Sequence, residues 1–86
     1  MTVLVHVAAP AYPQEARDKG IEGEVGVRIR VDKEGKVNDG FVSKRVDPSL
    51  DRAALSAAFG ASFKPARLKG KPVEVWVYIP VRFSLK

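Results

Sequence analysis

Between Val73 and Phe83 every second residue is apolar: Val73, Val75, Val77, Ile79, Val81 and Phe83. Such alternation puts one side of an extended strand into a core and leaves the other facing out. The run predicts a strand of about eleven residues, where about five or six is usual. Pro80 lies inside it on the opposite parity. Proline cannot donate to a ladder, so this strand has a free edge, at least locally. Trp76 and Tyr78 share Pro80's parity and are expected to point away from the core. A chain with this element is built around a sheet that the element borders.

A second alternating run, Val25, Val27, Ile29 and Val31 with Glu24, Gly26, Arg28 and Arg30 between them, predicts a half-buried strand over Gly23–Val31. Asp32-Lys33-Glu34-Gly35-Lys36 is a tight connection containing glycine, so the next strand, about Lys36–Lys44, returns antiparallel. Its apolar residues Val37, Phe41 and Val42 do not share one parity. A β-bulge near Gly40 is expected to restore the phase.

Two helices complete the pattern. Pro13 suits the first position of a short helix that ends at Lys19, with Gly20 at a left-handed exit. Glu15 in its first turn, and Arg17 and Lys19 in its last, fit the helix dipole. Asp47 reads as the N-cap of a second helix, with Pro48 at its first position. Leu50, Ala53, Ala54, Ala57, Ala58 and Ala61 follow at helical spacing, giving a narrow face that can lie close to a sheet. Gly60 loosens or ends this helix, and a loop through Pro65 and Gly70-Lys71-Pro72 leads to the last strand. Thr2–Val7, rich in β-branched residues, is a short strand or a frayed terminus.

Length limits the chain to one domain of 86 residues. Hydrophobic residues at 45% and charged residues at 29% exclude a disordered polymer. Without cysteine there is no disulfide framework, thiolate nucleophile or cysteine metal site, and the single histidine, His6, leaves zinc mainly carboxylates. No apolar run approaches the roughly 20 residues of a membrane span. Thr2–Ala9 is short and lacks the basic leader of a signal peptide. The net charge is +5. Its basic residues read as scattered, which fits a nucleic acid or an anionic membrane surface equally weakly.

Few residues offer chemistry. His6 has no sequence-near serine, cysteine or carboxylate and reads as a strand or tail residue. The pairs Asp32/Glu34 and Asp47/Asp51 have the makings of acid–base couples, but they stand in a turn and at a helix start, where acids serve turns and caps. Gly20, Gly23, Gly26 and Gly35 match no phosphate-loop spacing. Arg28, Arg30, Lys33, Lys36, Lys44 and Arg45 read as the solvated face of the hairpin. Trp76 and Tyr78 remain. Either Trp76 covers Gly26 or Gly40 on neighbouring strands, or the two rings serve a partner or self-association surface, where such residues are enriched.

One ordered set of motifs spans residues 10–85: Pro10-Ala11-Tyr12-Pro13, Gly20-Ile21-Glu22-Gly23-Glu24-Val25, Gly35-Lys36-Val37, Leu50-Asp51, Ala53-Ala54, Phe63-Lys64-Pro65-Ala66, Gly70-Lys71-Pro72-Val73 and Pro80-Val81-Arg82-Phe83. The set resembles the C-terminal domain of TonB-family energy transducers. The resemblance implies an α+β fold, a small antiparallel sheet with two helices on one face. The sheet is three-stranded, or four-stranded if residues 1–9 supply a short edge strand instead of a tail, and residues 10–86 form the domain proper. It further implies a periplasmic, non-catalytic module with no cofactor. Such modules pass energy from the inner-membrane ExbB–ExbD complex to outer-membrane receptors for iron chelates and vitamin B12-like ligands.

Contact in that family is by β-augmentation, the receptor's TonB box adding beside the final strand, here Val73–Leu85. The partner-binding residues so implied are Val73, Val75, Trp76, Val77, Tyr78, Ile79 and Val81, with Tyr12 of the tyrosine-proline motif. The same strand can pair instead with a second copy of the domain. The family's N-terminal anchor and proline-rich linker are absent here, so the sequence reads as a domain excised from a longer, membrane-tethered protein. Ala8-Ala9-Pro10-Ala11 stands where the family often has polar residues. Ala61 stands where it usually has a tryptophan, so Phe59 or Trp76 is expected to fill that volume.

Connectivity sets the expected strand order. A tight turn makes the first two strands neighbours, and the second helix crosses to the free side of the first, so the final strand pairs with Gly23–Val31. Val25, Val27, Ile29, Val75, Val77 and Ile79 then face Leu50, Ala54 and Ala58. Two other readings stay open. One is a basic nucleic-acid-binding α+β domain, although the aromatics that stack bases in RNA-recognition motifs are replaced by Glu24, Gly26, Arg28 and Arg30. The other is a TonB-like domain reused in a different cell-envelope protein.

Overall fold

The structure, a computed structural model, describes residues 3–6 and 10–85. In chain order its elements are β1 (Val3–His6), α1 (Gln14–Asp18), β2 (Gly23–Val31), β3 (Val37–Lys44), α2 (Pro48–Phe59), β4 (Ser62–Lys64), β5 (Ala66–Leu68), β6 (Lys71–Val73) and β7 (Val75–Phe83).

The short first helix is held by its exit. Gly20 adopts φ 67°; its N–H donates to Arg17 O at 3.1 Å and the Ile21 N–H to Ala16 O at 2.9 Å. These are the two bonds of a Schellman ending, which satisfies carbonyls a five-residue helix would otherwise leave bare. Pro13 stands one place earlier than expected. It is the cap residue, in extended conformation, and the helix starts at Gln14.

Val25, Val27, Ile29 and Val31 of β2 are all 0% exposed, and with Leu50, Ala54 and Ala58 of α2 they form the centre of the core. Alternation drives this, since each apolar side chain of β2 falls on the face that α2 covers. The alanines let helix and sheet approach closely. Ala54→Leu is therefore expected to lower stability by about 1–3 kcal/mol through overpacking. Urea denaturation reads this directly, and an unchanged midpoint would place α2 away from the sheet.

The turn after β2 is an aspartate turn. The Asp32 carboxylate accepts from the N–H groups of Lys36 (2.9 Å) and Glu34 (2.8 Å). The Lys36 bond, chief among its causes, holds this carboxyl below the usual range. Asp47 caps α2, accepting from the Ser49 hydroxyl and N–H, and the hydroxyl above all lowers its pKa. Both acids thus do structural work.

The strand order is β3-β2-β7, with β7 beside β2 as connectivity requires. The register of β3 breaks at Asn38 and Ser43, while Gly40 itself sits in step opposite Ile29. The break at Asn38 brings Val37 and Val42 to the core face and turns Phe41 outward.

Residues Val3–His6 do form a strand, but it joins β4 in a separate two-stranded sheet instead of making a fourth strand of the main one. Thr2 and residues 7–9 lie outside the described residues. The expected final strand, Val73–Leu85, is divided. Val73 pairs back to Ala66 across the β5–β6 hairpin, and the long strand begins at Val75 and ends at Phe83. Glu74 alone separates the two strands, its carboxylate 3.7 Å from Arg30. Leu85 is beyond the strand, its N–H donating to Glu22 Oε2 at 3.0 Å. Nor do Phe59 or Trp76 fill space beside Ala61. They are 44% and 51% exposed, and Phe63 and Ala61 are buried in their place.

Candidate partner-binding edge

Strand β7 is paired on one side only. Its nine residues face β2 in unbroken register, from Val75↔Val31 to Phe83↔Gly23, and no described strand lies along its other side. Which backbone groups face that free side follows from β2. Gly26 turns its carbonyl toward β3, where Ser43 Oγ donates to it at 3.3 Å. Asp32, of the same parity, turns its N–H the same way, to Lys36 O at 2.8 Å. A strand residue sends both its backbone groups to one side, so Gly26 offers β7 nothing. Pro80, its partner across the ladder, therefore directs its nitrogen to the free edge.

By alternation, the N–H groups of Trp76, Tyr78 and Arg82 also point outward, while those of Val75, Val77, Ile79 and Val81 enter the ladder with β2. Amide exchange should show that pattern, fast at Trp76, Tyr78 and Arg82 and slow at Val77, Ile79 and Val81. Uniform protection along β7 would mean that the edge is already covered.

Side chains divide along the same line. On the helix-covered face Val81 and Phe83 are buried, but Val75, Val77 and Ile79 are only half-buried at the margin of the core. Val73, at the end of β6, is half-buried too. On the open face Trp76 meets Phe41 with ring centroids 5.9 Å apart, and the Arg28 guanidinium lies 5.2 Å over the Tyr78 ring. Tyr78, and not Trp76, covers Gly26. A Cβ added there would stand 2.8 Å from Tyr78 Cε1 and 2.9 Å from Lys44 Cβ, so only glycine lets that ring lie along the sheet. Arg30 bonds Asn38 Oδ1 at 3.0 Å and reaches Asp39 and Glu74.

Tyr12 sits at the far end, its ring edge-on to Phe83 at 5.5 Å and its hydroxyl donating to the Ile21 carbonyl. Burial, then the nearby Glu22, pushes its phenol up and keeps it a donor. Its contacts fasten the segment before α1 to the end of β7. The structure thus groups Val75, Trp76, Val77, Tyr78, Ile79 and Val81 on one strand, with Val73 just before it and Tyr12 at its opposite end. Phe41 was missed as a member of the open aromatic face, because the phase of β3 beyond its bulge was not fixed by the sequence; Arg28 has the outward parity expected of it, but it stacks on Tyr78 where a solvated side chain was expected. A concavity of about 380 Å³ lies elsewhere, between β3 and α2 around Val42, Val46 and Leu55.

Residues 8–85 match the family of the Gram-negative bacterial TonB protein C-terminal region. The chain belongs to this family. It is a non-catalytic family, in keeping with carboxylates used here for a turn and a cap. Relatives of this TonB C-terminal domain include the protein TonB of Vibrio cholerae, 38% identical over 90% of the chain and 32% of the relative. The protein tonB2 of Pseudomonas aeruginosa is 37% identical over 94% of the chain and 30% of the relative. The chain thus spans about a third of the length of these curated relatives. Among solved structures, the Pseudomonas aeruginosa TonB C-terminal domain superposes with a TM-score of 0.79 at 27% identity, covering 99% of this chain and 87% of that one. The Helicobacter pylori domain gives 0.67 at 39% identity, covering 91% and 83%.

Proposed function

We propose that this chain is the coupling domain of a TonB-type energy transducer, working in the periplasm, and that it takes up an extended TonB-box segment of an outer-membrane receptor along β7. In this reading the parent protein draws energy from an ExbB–ExbD complex through an N-terminal anchor and drives uptake of iron chelates or vitamin B12-like ligands. The observation that carries it is the free edge of β7, with the N–H groups of Trp76, Tyr78 and Arg82 turned outward. An edge with unpaired donors and acceptors is a template for another strand.

Each added hydrogen bond contributes about 0.5–1.5 kcal/mol net, while ordering the peptide costs about 1–2 kcal/mol per residue. Burial against Val75, Val77 and Ile79 on one face and Trp76 and Tyr78 on the other must supply the surplus. Binding near or above micromolar Kd is the expected result. A second copy of the domain competes for the same edge, so dimer and peptide complex exclude one another.

A heteronuclear NMR titration with a TonB-box peptide tests the proposal, with single-stranded RNA as control. Shifts are expected on Val73–Ile79, with new protection of the Trp76, Tyr78 and Arg82 amides. Shifts confined to the Arg28–Lys36 hairpin, with Val73–Ile79 unmoved, would overturn it and favour the nucleic-acid reading. If the peptide fails but a self-complementary dimer forms through β7, a TonB-like interaction domain of another envelope protein becomes the better description.

A further inference from the structure

Charge and apolar exposure coincide at the β5–β6 hairpin. Lys64, Arg67, Lys69 and Lys71 lie in it or at its base, and no Asp or Glu occurs between Asp51 and Glu74. Four of the fifteen basic residues are thus gathered here with no acid among them. All four are exposed, and none forms an ion pair with a carboxylate among the described residues. Leu68, beside the turn, is 65% exposed, more than any other large apolar side chain described.

The loop is also preformed. Lys69 (φ 52°) and Gly70 (φ 82°) make a two-residue turn with both central residues left-handed, which matches the twist of a hairpin. Arg67 Nη1 closes it by donating to Gly70 O at 3.1 Å, and Leu68 is held opposite Lys71. Buried Ala66 (4% exposed) roots the ribbon in the domain.

Beyond the coupling role, we infer that this hairpin docks on a bilayer surface carrying anionic phospholipids. Leu68 enters the boundary between headgroups and acyl chains, and Lys64, Arg67, Lys69 and Lys71 meet the lipid phosphates. An apolar side chain held out from a cationic loop is matched by a partner that is anionic at its face and apolar just beneath. A nucleic acid offers the phosphates without the apolar layer, and the hairpin has no aromatic ring to stack a base. β6 runs into β7 through Glu74 alone, so a docked hairpin holds one end of the free edge near the surface.

Vesicle flotation of the chain tests this at low salt, comparing phosphatidylcholine alone with phosphatidylcholine containing about a third phosphatidylglycerol. Binding is expected only to the anionic vesicles. A cation at such a surface contributes about 1 kcal/mol, or roughly fivefold in partition, so Lys69→Glu/Lys71→Glu should lower binding by about twentyfold or more. Lys33→Glu/Lys44→Glu makes the same charge change elsewhere and should cost less than about threefold. Leu68→Ser, which leaves charge intact, should cost about fivefold. Amide spectra of each variant check that the fold is kept. No binding by the unaltered chain, equal loss in the two double variants, or an unaffected Leu68→Ser would each overturn the inference. Preference for single-stranded RNA or an acidic peptide over the anionic vesicles would do the same.

Discussion

Gly35→Ala is expected to cost about 3 kcal/mol, a large part of the roughly 5–15 kcal/mol that holds a small domain together. Gly35 has φ 86°, where an L side chain is strained by about 1–2 kcal/mol. Space is the second obstacle. A Cβ would run into the backbone carbonyl of Phe63, and the Gly35 carbonyl in turn accepts from Phe63 N at 3.0 Å, so neither backbone can retreat without losing that bond. Gly20→Ala is the matched comparison. Its φ is 67°, but nothing lies within 4 Å of the added carbon, so only the conformational part, about 1 kcal/mol, should appear. Equal losses in urea denaturation would show that the turn and β4 are not in contact.

The second prediction concerns neighbouring residues of one strand. Ile79→Pro removes an N–H that enters the ladder with β2 and forces a ring into the sheet, so a loss on the order of 3 kcal/mol or complete unfolding is expected. Tyr78→Pro removes an N–H that faces away from β2, as Pro80 already does, and the fold should survive with a loss of about 1 kcal/mol from the missing ring. Peptide binding at the edge should nevertheless fall by about tenfold or more, since a central donor is gone. Tyr78→Ala separates the ring from the donor. If Tyr78→Pro and Tyr78→Ala bind peptide alike, the added strand does not use that N–H.

Much of this fold can be read from the residues that have few alternatives. The alternation of Val25–Val31, the Asp47-Pro48 start of α2 and the left-handed Gly20 each admit one local conformation and occur where expected, and the alternation expected from Val73 holds from Val75 to Phe83. The stretch after Gly60 was less legible. Strands of three residues carry no period, and Pro65 and Pro72 read as loop punctuation when they in fact flank and enter short strands. The bulge expected near Gly40 lies instead at Asn38, with a second at Ser43, because Val37, Phe41 and Val42 fit several registers until Val31 and Val27 choose among them. That uncertainty hid the meeting of Phe41 with Trp76. The free edge of β7 was legible through Pro80 alone, a residue whose missing donor says which side has no neighbour.

The unbroken pairing of β2 with β7 has a mechanical consequence. When two strands are pulled in opposite directions along their axes, all the bonds between them share the load and must fail together. A peptide laid on β7 and drawn lengthwise would find backbone partners only at Trp76, Tyr78, Pro80 and Arg82, with a donor missing at Pro80. Behind it β7 is fastened to β2 over nine residue pairs, and Val81 and Phe83 are sunk in the core. Under tension, a peptide held as proposed is therefore expected to slip before β7 parts from β2. On the proposed function, such a domain would act as a releasable grip, letting go of its peptide while its own sheet stays paired.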